Sequence, residues 1–411
     1  MKLEFTPQQL SDRASFRRFA AEEIAPFADR FDRDEFVSPD VIRKVAERGY
    51  LASMLPVEWG GRGFDMVTYG LLHEAIGQAC SSVRSLLTVH DMLAMVLFRW
   101  GNAGQREKWL PRLARGEVIG AFGVSEPNVG SDPKSVETTA VKTPGGSFIL
   151  DGKKKWITFG QIADVFMVLA QCQGKPTTFL IERTRPGFSA RPIQGMFGTR
   201  GSMLAELSFD GCEIPAENLI GRVGFGILSA ISTALGLGRY SVAWGSVGIA
   251  QACLDACMSY TNTRRQGGVL LKEHQLIQQM LSEMVTNVKA ARLLCCQAGY
   301  SKDANDPQEV AETFTAKYFA SRAATRAALD AVQIHGAHGC SMESPVQRYL
   351  RDAKIMEIIE GSTQIQQITI ASFGQQDHAQ RMHEEARFNQ STKMSVGGSL
   401  APEEVGALLA G

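Results

Sequence analysis

The order in which helical and strand-like sequence patterns follow one another most constrains the fold of this chain. Apolar residues recur at helical spacing from Thr6 to about Gly120. Short β-rich runs separated by turn residues then fill the chain from Ala121 to about Gly221. Long helical stripes return after Gly226. Because helices and strands occur in separate blocks, we expect a mainly α protein with a central β-domain, and not the alternating order of a parallel α/β sheet.

These changes of texture predict three domains and a tail. We expect an N-terminal α-helical domain over residues 1–120, a central β-domain over 121–222 and a C-terminal helical domain over 223–373. Residues 374–411 are polar and are interrupted by Gly397-Gly398. We therefore expect this tail to lie outside the core and to be partly disordered.

The composition is that of an ordinary soluble globular protein. Hydrophobic residues make up 44% of the chain, and 43 basic side chains balance 43 acidic ones. This balance gives no electrostatic argument for a nucleic-acid or anionic membrane partner. No apolar run approaches the roughly 20 residues that cross a bilayer. The N-terminus lacks a signal-peptide layout, and the eight cysteines form no Cys-x-x-Cys pair. We expect reduced core cysteines, no membrane insertion and a cytoplasmic location.

One carboxylate stands in an unusual setting near the end of the helical region. Glu360 follows Ile358 and Ile359, where a helical pattern meets Gly361. A carboxylate flanked by apolar side chains and without an adjacent cation should be desolvated, which raises its pKa towards that of a useful base. The same pattern fits a solvated helix end, so Glu360 alone does not identify a catalytic site.

Two other segments carry groups suited to contacting a ligand. The loop from Phe122 to Asp132 offers hydroxyls, glycines and exposed backbone donors at a helix-to-strand boundary. In Lys155-Trp156-Ile157-Thr158, alternation along a strand would place the indole of Trp156 and the hydroxyl of Thr158 on one face. Taken singly, these segments also fit a turn and a core strand.

Several other kinds of site are not indicated. No Gly-x-Gly-x-x-Gly follows a strand and no Gly-x-x-x-x-Gly-Lys-Ser/Thr occurs, which argues against Rossmann and P-loop nucleotide sites. No Gly-x-Ser-x-Gly elbow marks a hydrolase nucleophile. The seven histidines show no convincing ligand spacing, so we predict no metal site.

Taken together and in order, the motifs of the chain resemble those of the acyl-CoA dehydrogenase family. The matching segments are Ser125-Glu126-Pro127 with Gly130-Ser131-Asp132, Trp156-Ile157-Thr158, Gly198-Thr199-Arg200-Gly201-Ser202, Pro215-Ala216-Glu217-Asn218, His274-Gln275, Arg351-Asp352-Ala353-Lys354 and Glu360-Gly361. The resemblance covers roughly residues 5 to 372. It implies an N-terminal helical domain, a middle β-barrel-like domain and a C-terminal four-helix bundle, assembled as a homo-oligomer (dimer or tetramer) with FAD.

The resemblance also implies roles for individual residues. Glu360 resembles the base that removes the α-proton of an acyl thioester, while a hydride passes from the β-carbon to flavin N5. Ser131 and Arg239 resemble substrate-binding residues. The residues that resemble FAD contacts are Phe122, Val124, Ser125, Trp156, Thr158, Arg264, Gln275, Gln333, Gly336, Ser362 and Gln364. Within this set, Arg264, Gln275, Gln333 and Gly336 resemble residues that hold the pyrophosphate and adenine, often across a subunit interface.

Three glycines depart from the pattern of many family members. Gly238 stands where some members carry the base instead, so Glu360 has no competitor. Gly267 replaces a phenylalanine of an Arg-x-x-Phe-Gly motif, and Gly236 replaces an aspartate of the substrate-binding neighbourhood. The last two put ordinary CoA recognition in doubt. The stretch from Gly238 to Gly245, together with that from Met356 to Ser362, looks more like the branch that acts on carrier-protein thioesters, which includes enzymes of polyketide extender-unit biosynthesis.

The expected function is therefore FAD-dependent dehydrogenation of an acyl thioester carried on CoA or on a carrier protein. Electron-transfer flavoprotein or another acceptor would reoxidise the flavin. An acyl thioester oxidase that uses oxygen is an alternative, since the sequence does not reveal the acceptor. A non-catalytic flavin-binding partner protein is a second alternative, against which Glu360, Thr158 and Trp156 argue.

Overall fold

The N-terminal part of the chain is helical, as its sequence predicts. In the computed structural model, which describes residues 4–396, it contains α1 (Pro7–Phe19), α2 (Ala28–Asp34), α3 (Pro39–Glu47), α4 (Met66–Ala79), α5 (Ser81–Trp100) and α6 (Ala103–Ala114). Helix α1 begins with a capping box, because the Thr6 hydroxyl accepts from the Gln9 amide and the Thr6 amide donates to the Gln9 side chain. Pro7 follows in the first turn, where its missing N–H is not needed.

The middle of the chain forms one eight-stranded sheet. Its strands are β1 (Gly120–Gly123), β2 (Thr139–Lys142), β3 (Phe148–Ile157), β4 (Val165–Cys172), β5 (Lys175–Glu182), β6 (Phe188–Pro192), β7 (Ala205–Ile214) and β8 (Leu219–Ile220). The order is β6-β7-β3-β2-β4-β5-β8, and β1 pairs in parallel with β4. Strand β4 is buried on both faces from Val165 to Ala170, which places the centre of the sheet inside the core.

Helices return after the sheet. They are α7 (Ser232–Thr261), α8 (Gln275–Asp303), α9 (Glu309–His335), α10 (Val346–Met356) and α11 (Thr363–Val396), with a short hairpin of β9 (Arg265–Gln266) and β10 (Val269–Leu270) before α8. Helix α7 packs against α4, α5, α8, α9 and α10. The long helical stripes predicted after Gly226 include one on α8, whose apolar residues are buried from Leu281 to Cys295. The predicted order of a helical domain, a β-domain and a second helical domain is confirmed.

Helix α11 runs into the segment that we expected to form a polar tail. The first compact unit of the chain ends at Gln366, and a second unit begins at Gln367. Residues 374–396 continue this helix, and glutamine, glutamate, arginine and alanine, which are frequent here, favour helix. Residues 397–411, with Gly397-Gly398, lie outside the described residues.

Helix α5 has the length and composition of a membrane span, although no run of this kind was apparent in the sequence. In the described chain, 94% of its most apolar window is buried within the fold. It also carries the buried charged side chains of Arg84 and Asp91. Helix α5 is therefore a core helix in this structure, and its polar side chains face other helices.

The cysteines follow the prediction with one exception. Seven of the eight are buried and all eight are unpaired. Cys340 is exposed in the turn after α9, so the prediction of a core cysteine is wrong at this position.

Candidate active site

Glu360 lies in the break between α10 and α11. Its φ is 55° and that of Gly361 is 89°, so both residues adopt the left-handed conformation that ends one helix before the next begins. The predicted interruption is present, but it starts earlier, after Met356. Ile358 is consequently not on a helical stripe, and its side chain is 56% exposed.

Two buried donors hold the turn that carries Glu360. Nζ of Lys317, on α9, donates to the carbonyl of Gly361 at 2.7 Å. The side-chain amide of Gln366 donates to the carbonyls of Glu360 and Gly361 at 3.2 and 3.1 Å. Lys317 is fully buried, and this burial lowers its pKa to about 8. The position of Glu360 therefore depends on α9 as well as on its own segment.

One oxygen of the Glu360 carboxylate is shielded from solvent, while the residue as a whole is partly exposed. Oε2 is inaccessible and has no hydrogen-bond partner among residues 4–396. Burial raises the pKa of Glu360, and the nearby cations Arg239, Arg84 and Lys317 oppose this rise. The expectation that no cation lies nearby is wrong, because α5, α7 and α9 each bring one from a distant part of the sequence. The raised pKa that we predicted is present.

Gly238 on α7 lies directly against this carboxylate. A Cβ at Gly238 would come within 2.3 Å of Oε2 of Glu360 and 3.1 Å of Sδ of Met92. No side chain fits at this position while Glu360 keeps its orientation. Gly238 therefore provides no alternative base, and it also leaves room for the carboxylate of Glu360.

The predicted flavin contacts of the β-domain come together where β3 ends. The Lys155 amide donates to the carbonyl of Ser125 at 2.9 Å, which joins the loop after β1 to β3. Beneath this contact, Nζ of buried Lys154 donates to Oε1 of Glu126 at 2.6 Å and to the carbonyl of Val124 at 3.3 Å. The buried ion pair of Lys154 and Glu126 therefore fixes the backbone of the loop that follows β1.

The geometry at Trp156 differs from the predicted alternation. Its φ is 64°, and the pairing of β3 with β7 shifts between Lys154 and Ile157. Such a bulge breaks the two-residue period, so the argument that Trp156 and Thr158 share a strand face is wrong. Thr158 follows the end of β3, and the indole of Trp156 is 47% exposed beside it.

These residues fit a planar group with a polar edge, such as the isoalloxazine of FAD. Trp156 offers an exposed aromatic face. The hydroxyls of Ser125 and Thr158 have no hydrogen-bond partner in the part of the chain that the structure describes. Phe122 is half-buried in β1, and Ser131 is exposed in the loop that follows. Ser362 and Gln364 adjoin Glu360 in sequence, at the start of α11.

Four other predicted FAD contacts form a separate group at the far end of the helices. Arg264, Gln275, Gln333 and Gly336 are all exposed. The Arg264 amide donates to the carbonyl of Tyr260, whose ring stacks 4.3 Å from that of His335, next to Gly336. Gln333 is 16 residues beyond Lys317 on α9, which corresponds to roughly 24 Å along the helix. One chain therefore does not bring the two groups together.

Gly267 and Gly236 both replace residues that many family members carry. The structure requires a glycine at the first position but not at the second. Gly267 and Gly268 form the two-residue turn of the β9–β10 hairpin, with φ values of 62° and 84°. A turn of this kind needs positive φ at both positions, which disfavours phenylalanine there. At Gly236, by contrast, a Cβ would meet nothing within 4 Å. The missing aspartate is thus not excluded by packing.

Sequence reasoning missed three buried cations of the site: Arg84, Lys154 and Lys317. Each is at most 1% exposed. Their only signal in the sequence is a long basic side chain within an otherwise apolar or alanine-rich stretch. Arg239 was identified, and the structure places it beside Glu360, with its guanidinium 4.4 Å above the ring of Phe314.

The segment Arg351-Asp352, which carries one of the family motifs, supports the site rather than entering it. The buried carboxylate of Asp352 accepts from the Thr199 amide at 2.6 Å, and Arg351 forms a two-bond ion pair with Asp32. A Cβ at Gly198 would lie 2.3 Å from the carbonyl of Arg351. The motifs Gly198-Thr199 and Arg351-Asp352, which are distant in sequence, are therefore in contact, and they join the loop before β7 to α10.

Known proteins share this architecture over most of their length. Family models for acyl-CoA dehydrogenase match the chain in its N-terminal domain (residues 6–117), middle domain (121–212) and C-terminal domain (224–374). An acyl-CoA dehydrogenase of Bacillus subtilis is 36% identical over 379 residues, which cover 90% of this chain and 99% of that protein. Butyryl-CoA dehydrogenase of Megasphaera elsdenii superimposes with a TM-score of 0.87 at 32% identity, covering 90% and 99% of the two chains. A prolyl acyl carrier protein oxidase gives a TM-score of 0.86 at 29% identity, with the same coverage. The chain belongs to the acyl-CoA dehydrogenase family.

Proposed function

We propose that Glu360 is the base that removes the α-proton of an acyl thioester in this FAD-dependent family member. The observation that carries this proposal is the carboxylate itself, whose buried Oε2 has no hydrogen-bond partner among residues 4–396 and whose pKa is raised by burial. A desolvated carboxylate is a stronger base than a hydrated one, and a free oxygen can accept a proton directly.

The surrounding residues prepare this carboxylate for proton transfer. Lys317 and Gln366 hold the backbone of the turn, and the absence of a side chain at Gly238 leaves room for Oε2 of Glu360. Arg239 and Arg84 favour the anion electrostatically, which keeps the base in its unprotonated form. Trp156, Thr158 and Ser125 would hold the isoalloxazine of FAD. When bound, FAD supplies the two-electron oxidant that accepts the hydride from the β-carbon.

Anaerobic reduction of the bound flavin tests the assignment of the base. The purified protein should be yellow and should bleach with a suitable thioester in the absence of oxygen. Glu360→Gln should retain the flavin and lose the bleaching, since the amide cannot take up a proton at neutral pH. Bleaching of the variant at the wild-type rate would overturn the assignment, and bleaching of neither protein by any thioester would favour a non-catalytic role.

We also propose that a carrier protein, rather than CoA, delivers the acyl group. The Gly267-Gly268 turn and the vacant space at Gly236 replace side chains that many family members carry near the nucleotide and the substrate. The prolyl acyl carrier protein oxidase has the same fold and is 29% identical. Paired substrates separate the two carriers: the carrier-protein thioester should bleach the flavin faster than the matching CoA ester, and equal or faster bleaching by CoA would contradict the proposal.

The remote group of FAD contacts supports a proposed homo-oligomer. Arg264, Gln275, Gln333 and Gly336 lie far along the helices from Glu360, so a second copy would supply them to the same cofactor. Sedimentation of the holoprotein should give a dimer or a tetramer, and a monomer with bound FAD would overturn this. We propose electron-transfer flavoprotein as the acceptor in the cytoplasm. Rapid reoxidation of the reduced flavin by oxygen alone would instead support the oxidase.

A further inference from the structure

Residues 197–203, between β6 and β7, form a loop that lies against α10, and we call it the bridging loop. The Thr199 amide donates to Oδ1 of Asp352 on α10 at 2.6 Å, and both residues are buried. A Cβ at Gly198 would lie 2.3 Å from a backbone carbonyl of α10. No side chain fits at this position without a shift of the backbone. The bridging loop and the helix that precedes Glu360 are therefore packed backbone against backbone.

The other end of the bridging loop holds the segment that follows β3. The carbonyl of Ser202 accepts from the Phe159 amide at 2.8 Å. Phe159 is fully buried and directly follows Thr158, the proposed FAD contact. The Ser202 amide in turn donates to the Thr199 carbonyl at 2.9 Å, which closes the short turn between the two ends of the loop. The position of Thr158 therefore depends on the bridging loop, and that of the loop depends on α10.

Strained backbone is concentrated along this connection. Among residues 4–396, nine residues other than glycine have a positive φ. Five of the nine lie in the bridging loop or in the two segments that it joins, with φ between 48° and 64°: Trp156, Phe159, Thr199, Met203 and Glu360. The left-handed conformation is unfavourable for such residues and persists only where surrounding contacts impose it. The geometry of this connection is therefore imposed by its contacts, as is typical of functional sites.

Asp352 is the side chain that joins the bridging loop to α10. It is 3% exposed, and burial raises its pKa to about 6, so the carboxylate is charged at neutral pH. Oδ2 lies 3.9 Å from Nη1 of Arg348, and Oδ1 accepts the charge-assisted bond from the Thr199 amide. Loss of Oδ1 would remove the partner of this buried amide, which is unfavourable enough to displace the loop.

We propose that Asp352 is a positioning residue of the reaction, which acts through the bridging loop to fix Thr158 at the place where its hydroxyl contacts the flavin. The base and the flavin act on neighbouring carbons of one substrate, so their separation has to be fixed. A misplacement of about 1 Å can slow a reaction by about 10²-fold. Asp352 precedes Glu360 by eight residues and connects to Thr158 through the loop, so it links the two groups. The inference rests on the proposed function, from which Glu360 and Thr158 take their roles.

A double-mutant cycle between Asp352 and Thr158 tests the proposal on the holoprotein. The variants are Asp352→Ala, Thr158→Ala and the double variant. The first readout is the rate of anaerobic flavin reduction at saturating thioester. The second is the absorption spectrum of the oxidised flavin, which responds to hydrogen bonds at the ring and requires no turnover.

Asp352→Ala should slow flavin reduction by at least about tenfold when Thr158 is present. It should slow the reaction by less than about threefold when Thr158 is alanine, because the hydroxyl that it positions is then absent. The flavin bands of Asp352→Ala should shift in the same direction as those of Thr158→Ala, without a further shift in the double variant. Asp352→Asn keeps an accepting oxygen and should recover most of the rate.

Asp29→Ala is the matched control. Asp29 is the other acidic partner of Arg348, with a distance of 2.8 Å from Nε, and its side chain is 48% exposed. Its removal takes an ion pair from α10 but leaves the bond between Asp352 and Thr199 in place. The rate and the flavin spectrum of this variant should therefore equal those of the wild type.

Gly198→Ala decides the test if Asp352→Ala does not fold. It displaces the bridging loop from α10 while Asp352 stays intact, and it should give the same slowing and the same spectral shift. Equal slowing by Asp352→Ala with and without the Thr158 hydroxyl would overturn the proposal. Wild-type flavin spectra in Thr158→Ala, or in folded Asp352→Ala and Gly198→Ala, would overturn it as well. If no thioester reduces the wild-type flavin, the proposed dehydrogenase function fails, and the spectra alone then decide whether Asp352 positions Thr158.

Discussion

The carboxylate of Glu360 and the backbone of Gly238 are in direct contact, so that even a methyl group on Gly238 would lie 2.3 Å from Oε2. The two residues belong to different helical segments, and their contact depends on the packing of α7 against α10. A helix backbone thus forms one wall of the space in which the proposed base acts.

Gly238→Ala should slow flavin reduction by about 10²-fold, because displacing a reacting group by about 1 Å has an effect of this size. Flavin content and thermal stability should change little, since the carboxylate lies at the end of a flexible side chain. Single-turnover reduction measures the rate. Gly236→Ala is the matched control on the same helix, because its Cβ would meet open space. Equal slowing of both variants would show that Gly238 acts through helix stability instead.

Arg239→Gln should shift the acidic limb of the pH–rate profile to higher pH. Arg239 is the strongest of the influences that lower the pKa of Glu360 against the effect of burial. Its removal raises that pKa further, so the carboxylate becomes protonated at a higher pH and the rate falls earlier on acidification. Flavin reduction at saturating thioester, measured across pH, gives the shift. Arg99→Gln, at an exposed position of α5, should leave the profile unchanged.

Lys317→Met should reduce the gain in stability that accompanies a rise in pH. The pKa of Lys317 is lowered to about 8, against 10.5 for an ordinary lysine. Between these values the native lysine is neutral while the unfolded one is protonated. The unfolded state then binds more protons, so the free energy of unfolding rises with pH. This contribution is at most about 1.4 kcal/mol per pH unit.

Urea denaturation from about pH 7.5 to about pH 10 measures this contribution. The wild type should gain more stability over the range than Lys317→Met, whereas the exposed Lys289→Met should follow the wild type. Parallel curves for the wild type and Lys317→Met would show that the lysine does not titrate in this range.

Lys154→Met should weaken flavin binding and destabilise the protein by about 3–5 kcal/mol, because it leaves the buried carboxylate of Glu126 without its cation. The loop from Val124 to Glu126 would lose the contact that fixes it below β3. Lys153→Met is the matched control at the neighbouring exposed position and should change stability by less than about 0.5 kcal/mol. Urea titration with detection of released FAD measures both the weaker flavin binding and the lower stability. Equal retention of FAD by the two variants would contradict the role of the ion pair.

The sequence predicts those parts of the fold and of the candidate site that depend on local pattern. The capping box at Thr6, the stripe of α8 and the helix break at Gly361 are encoded by neighbours within a few residues. The raised pKa of Glu360 was predicted from its apolar neighbours, but its cause is burial against α7, since Ile358 is 56% exposed.

Features that depend on tertiary packing were not predictable in the same way. Arg84 and Lys317 approach Glu360 only because α5 and α9 pack beside its turn. The bulge at Trp156 arises from the pairing of β3 with β7, a strand some 50 residues later in the chain. Alternation along one strand contains no information about that partner, which is why the predicted common face of Trp156 and Thr158 was wrong.

The contact of Arg84 with Gly245 limits how this pair of helices can be altered. A methyl group at position 245 of α7 would lie 3.0 Å from Cδ and Nε of Arg84, closer than packed atoms normally come. Any larger residue at 245 requires the buried guanidinium to shift, so a redesign of this helix pair has to change positions 84 and 245 together.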